Sequence, residues 1–69
     1  LLIVTAPQAP RPTNLDDLKG KDVIVNTGFA ADLYMSTLPD INLIRLPKVA
    51  DALNALDQGK AYAFVTASF

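Results

Sequence analysis

The residues best placed to do chemistry in this 69-residue chain are Asn26, Thr27, Gly28, Phe29 and Ala30, which join an apolar run to a helix-like segment. Asn26 and Thr27 carry side-chain hydrogen-bonding groups. Gly28 reaches backbone conformations that bring successive N–H groups toward one point. A helix beginning there adds the partial positive charge of its N-terminus. Together these features suit a small anion or polar solute. A plainer reading stands beside this one: Gly28 makes the turn, and Asn26 or Thr27 caps the helix. The stretch is neither a dinucleotide fingerprint, which needs two further glycines, nor a Walker loop.

The remaining polar residues offer less. Asp16 and Asp17 are adjacent, and adjacent positions on a turn do not face each other, so they make a poor acid–base pair. Arg45 offers a partner for a carboxylate but, as a single Arg at a strand end, reads as solvated; Lys19, Lys21 and Lys48 read as solvated edges, and Tyr34 and Tyr62 as half-buried aromatics covering a sheet. The chain has no His, Cys or Glu, so the commonest general base, metal ligand and thiolate are all missing. That argues against catalysis or metal binding within these residues, and no cofactor is implied. Six Lys or Arg against seven Asp give a net charge of -1. That balance provides neither the clustered basic face that nucleic acid needs nor a polybasic lipid-binding surface. No apolar run approaches the roughly 18–20 residues that span a bilayer, so direct membrane insertion is not expected. No signal peptide is visible. A start at Leu1 without Met and an apolar end at Phe69 read as a segment of a longer protein.

Around the Asn26–Ala30 stretch the chain alternates between strand and helix patterns. Leu1–Thr5 reads as a short buried strand. Pro7, Pro10 and Pro12 make 6–14 an extended, proline-rich connector. Thr13 is placed to accept at a capping box that opens a turn containing Leu15 and Leu18, with Gly20 closing it. Val23–Val25 is a continuous β-branched run, the pattern of a strand covered on both faces. Ala30, Leu33, Tyr34 and Leu38 fall at helical spacing, with Asp32 in the first turn. Ile41–Leu46 is a further strand, Ile41, Leu43 and Arg45 on one side. Pro47 opens a helix whose apolar face is Val49, Ala52, Leu53 and Leu56, closed by Gly59. Ala61–Thr66 is the last strand. This alternation predicts one partial α/β domain over 1–69 with a mostly parallel sheet and flanking helices. In such sheets ligands sit beyond the carboxyl ends of strands, which points first at Asn26–Ala30 and second at Thr66–Ser68.

The order of these segments carries a family likeness. The run NLDDLKGK at 14–21, followed by Val23, Ile24, Val25 and Gly28, resembles the opening of the second lobe in family 3 bacterial solute-binding proteins. Residues 49–65, VADALNALDQGKAYAFV, are similar to a later segment of the same lobe. The resemblance implies part of one lobe of a two-lobed Venus-flytrap fold. It further implies a non-enzymatic, periplasmic or extracytoplasmic protein that captures a small polar or amino-acid-like solute in the interlobe cleft for an ABC importer permease. The same lobe also serves as the ligand-sensing input domain of membrane sensors and as a non-catalytic lobe of related-fold enzymes. Where the family commonly has Thr or Ser after the elbow glycine, this chain has Phe29, leaving the N–H groups of Phe29 and Ala30 to meet the ligand. Two family Asp positions are Tyr62 and Ala67 here. These departures fit a solute other than a standard α-amino acid, or a lobe kept for structure or signalling.

Overall fold

Val23, Ile24 and Val25 are all fully buried, and burying both faces of a strand requires a helix layer on each side of the sheet. The computed structural model, which describes residues 1–67, has that arrangement. Its strands are β1 (Leu2–Val4), β2 (Asp22–Asn26), β3 (Asn42–Leu46) and β4 (Ala63–Thr66), in the spatial order β1-β4-β2-β3. β2 runs parallel to both neighbours, with Ile24 opposite Ile44 on one side and Phe64 on the other. Only β1 is antiparallel, pairing Leu2 with Thr66 and Val4 with Phe64. Helices α1 (Ala30–Met35) and α2 (Val49–Asp57) are the crossovers between the parallel strands. The expected mostly parallel α/β sheet is therefore present.

Two apolar layers hold the sheet. On one face a 3₁₀ turn (Leu15–Leu18) and α1 bring Leu18, Ala31 and Met35 onto Val23, Val25, Ala63 and Val65. On the other face α2 alone places Ala52 and Leu56 over Ile24 and Phe64.

Three expectations need correction. Leu1–Thr5 is a half-buried edge strand rather than a buried one, because β1 has a neighbour on one side only and Leu2 faces outward. α1 ends at Met35 and buries Ala31, Asp32 and Met35, while Leu33 is 67% exposed and Tyr34 is also exposed. In a helix of six residues, one polar inward position is enough to rotate the face away from the apolar spacing. At the 3₁₀ turn the cap is Asn14, whose Oδ1 accepts from Asp17 N–H at 3.3 Å. Thr13 donates to the Asp17 carboxylate instead of accepting, from its N–H at 2.8 Å and its hydroxyl at 3.0 Å. Smaller shifts occur in α2, which starts at Val49 behind Lys48 rather than at Pro47, and leaves Val49 and Leu53 partly exposed.

The amino ends of the parallel strands are stitched together. Asn42 Nδ2 donates to Asp22 Oδ1 (2.7 Å), Asn42 N–H to Lys21 O (3.1 Å) and Tyr62 N–H to Asp22 O (2.8 Å). Lys21 is exposed as expected, and its ammonium stands 5.3 Å from the Tyr62 ring centroid, a cation–π distance. The Tyr62 hydroxyl reaches Pro10 O at 3.4 Å and holds the proline-rich connector to this end of the sheet. No helix among the described residues is long and apolar enough to cross a membrane.

Phe64 is the largest fully buried side chain and the centre of the α2 layer. Phe64→Ala is expected to lower the unfolding free energy by about 3–5 kcal/mol, the usual cost of emptying a core phenylalanine site. Urea unfolding checks this, the midpoint falling at an unchanged m-value.

Candidate functional site

β2 ends at Asn26, and the chain must then turn out of the sheet to begin α1 at Ala30. Gly28 makes that turn with φ +76°, a left-handed conformation that a side chain would strain although nothing lies within 4 Å of its missing Cβ. The elbow is fastened at several points. Asn26 Nδ2 and Thr27 N–H both donate to Leu46 O, each at 3.1 Å, which ties the end of β2 to the end of β3. Gly28 N–H donates to Asp32 Oδ2 at 2.8 Å, and Phe29 N–H donates to Asn26 O at 3.2 Å. Three successive N–H groups are thus spent inside the protein. The expectation that the Phe29 N–H serves a ligand is corrected on this geometry. Ala30, the first helical residue, has an N–H of the kind that a helix leaves without an internal partner.

The N-cap of α1 is Phe29, whose side chain cannot cap. Asp32, in the first turn, reaches back to Gly28 N–H and so fastens the elbow to the helix without capping it. Its carboxylate is only 6% exposed, and its other oxygen accepts from Ser36 Oγ (3.1 Å) and Arg45 Nε (2.9 Å). Arg45 Nη2 also donates to Ser36 Oγ at 2.8 Å. Arg45 is exposed, as expected, and it also takes the other course open to it, an ion pair with Asp32 that links β3 to α1. The Gly28 N–H holds the Asp32 pKa below its ordinary value of 3.8, helped by Arg45 and Ser36 against the opposing effect of burial.

Beyond the carboxyl ends of β2 and β4 lies a cavity of 230 Å³. Asn26, Phe29, Ala30 and Ala31 line one side, and Val49, Val65, Thr66 and Ala67 the other. Of the five residues singled out in the sequence, Asn26, Phe29 and Ala30 are on this wall, whereas Thr27 and Gly28 are exposed and shape the turn behind it. The second expected stretch converges on the same cavity through Thr66 and Ala67; Ser68 lies outside the described residues. Sequence reading missed Val49 and Val65, which arrive because β4 is the neighbour of β2. It also missed the role of Asp32, for which the four-residue spacing from Gly28 is the only local signal. No group of potential metal ligands is found among the described residues.

No family model and no curated protein sequence matches the chain. Solved structures do. Domain 2 of ArgBP from T. maritima is 35% identical with a TM-score of 0.85, the match covering 96% of this chain and 72% of that one. The chain belongs to the family 3 bacterial solute-binding proteins. It corresponds to part of one lobe of their Venus-flytrap fold. Holo ArgBP from T. maritima matches at 34% identity and a TM-score of 0.83, over 93% of this chain and 28% of that one. The substrate-binding protein of an amino acid ABC transporter is 28% identical (TM-score 0.81), and the periplasmic VFT2 domain of BvgS from Bordetella pertussis also 28% (TM-score 0.71). Both matches cover 93% of this chain and 28% of the other. The chain therefore spans under a third of whole solute-binding proteins.

The lowered Asp32 pKa has a direct consequence for acid stability. A carboxylate held below its unfolded value stabilises the fold above about pH 4, and that stabilisation is lost as pH falls through the folded value. Asp17 acts in the same window, its pKa lowered by the Thr13 N–H and hydroxyl. Asp32→Asn is expected to reduce stability near neutral pH and to flatten, without abolishing, the fall in stability below pH 4. Denaturant midpoints measured from pH 7 down to pH 2.5 check both parts.

Proposed function

We propose that this chain is the cleft-facing part of the second lobe of an extracytoplasmic solute-binding protein, the capture component of an ABC importer. In this reading Asn26, Thr27, Gly28, Phe29 and Ala30 form the elbow that meets a small polar or amino-acid-like solute. The full-length protein works in the periplasm or its equivalent and delivers the solute to a permease. The observation that carries the proposal is the cavity where Asn26–Ala30 and Thr66–Ala67 converge beyond the carboxyl ends of β2 and β4. Open parallel sheets bind ligands at this place. The likeness to domain 2 of an arginine-binding protein and to an amino acid ABC substrate-binding protein supports the same reading.

No catalytic role is proposed. The chain has no His, Glu or Cys, and its one buried carboxylate, Asp32, is already committed to Gly28, Ser36 and Arg45. A second reading, the ligand-sensing domain of a membrane receptor, is favoured by the likeness to the BvgS periplasmic domain. In that reading the same cavity reports a solute rather than delivering it. The sequence flanking the lobe separates the two, transmembrane and signalling segments belonging to the sensor.

A thermal-shift screen of the full-length protein against amino acids, amines and organic acids tests solute capture. A bound solute at a hundredfold excess over its Kd is expected to stabilise the protein by about 2.7 kcal/mol. Silence across that panel counts against capture. Gly28→Val is expected to abolish the shift while the protein stays folded, because it strains the elbow at a position with open space around it. A Gly28→Val protein that still binds removes the elbow from the site.

A further inference from the structure

We infer that the solute turns an uncharged, apolar group toward this lobe; the inference rests on the solute-binding reading above. Among the described residues, no charged side chain lines the cavity. Its wall is Phe29, Ala30, Ala31, Val49, Val65 and Ala67, with only Asn26 and Thr66 polar, and both of those are neutral. Asn26 directs one amide N–H to Leu46 O. The nearest buried carboxylate, Asp32, is off the wall and held by Gly28, Ser36 and Arg45. A ligand ammonium or guanidinium pressed against such a wall loses its water without gaining a partner charge, which is unfavourable. An apolar group meets the wall at no such cost, and its burial is favourable.

Phe29 is the second observation. It occupies the N-cap of α1, where Ser, Thr, Asp or Asn satisfies the helix best, and it makes no cap hydrogen bond. Asp32 fastens the elbow through Gly28 N–H, and none of the hydrogen bonds that hold the turn uses the side chain at position 29. That side chain is an aromatic ring, 62% exposed, on the cavity wall. A ring in this position is a flat apolar surface for a ligand ring or alkyl chain.

The test uses calorimetric titration of the full-length protein with four probes: L-phenylalanine, 3-phenylpropionate, L-arginine and L-aspartate. At least one of the two phenyl compounds is expected to bind about tenfold or more tightly than either charged-side-chain amino acid. Phe29→Ser is expected to weaken that binding about tenfold while the unliganded Tm stays level or rises, because serine restores a cap. Tightest binding of L-arginine or L-aspartate overturns the inference and leaves solute capture standing. Undiminished phenyl binding by Phe29→Ser overturns it as well. Absence of binding by all four probes, and by the wider panel, overturns both this inference and the reading it rests on.

Discussion

The carboxylate of Asp32 is the fixed point of this structure. A buried acid is costly unless every lone pair finds a donor, and here a backbone N–H, a hydroxyl and a guanidinium all supply one. The three donors come from three places: Gly28 in the elbow, Ser36 at the end of α1, and Arg45 in β3. One side chain therefore fixes the turn, the short helix and the edge strand relative to one another. α1 needs that help. Six residues are too few to be helical by propensity, and apolar packing through Ala31 and Met35 covers only part of its length.

The sheet order places a cavity beside this local clamp. With β4 beside β2, the ends of the two strands open into the same space, and the starts of α1 and α2 border it. The opposite end of the sheet is tied together by backbone and side-chain hydrogen bonds between Lys21, Asp22, Asn42 and Tyr62. A stitched floor and an open rim are what a binding lobe requires, since the rim can accept a ligand without the strands shifting.

Much of this was legible in the sequence, and the failures share one cause. β2 was readable because Val23–Val25 is unbroken and β-branched, and α2 because Ala52 and Leu56 repeat at helical spacing. The side of β3 on which Arg45 lies also followed from alternation. The buried face of α1 did not, because Leu33 and Tyr34 look like core residues until Asp32 is known to point inward. That orientation depends on Arg45, thirteen residues away in sequence, and no local pattern announces it. Of the two stretches that the strand-end rule points to, 26–30 and 66–68, Asn26, Phe29, Ala30, Thr66 and Ala67 line the cavity. Val49 and Val65 depended on strand order, which spacing alone does not reveal. The likeness of the whole segment order to one family proved more informative than any single motif.

The proline-rich connector has a consequence of a different kind. Between β1 and the 3₁₀ turn it makes little regular structure, with one turn closed by Ala9 N–H to Ala6 O (3.0 Å) and one long bond from Tyr62 to Pro10. Two bonds are few with which to order residues 6–12, the part of the connector before Thr13 and Asn14 join Asp17. Pro7, Pro10 and Pro12, however, have their φ angles set by their rings before folding begins, so the unfolded chain has less freedom to lose there. The connector therefore behaves as a stiff strap of set length. It spaces β1 from the 3₁₀ turn mainly through the entropy it never had, and flexible residues in its place would leave the same contacts too weak to hold it.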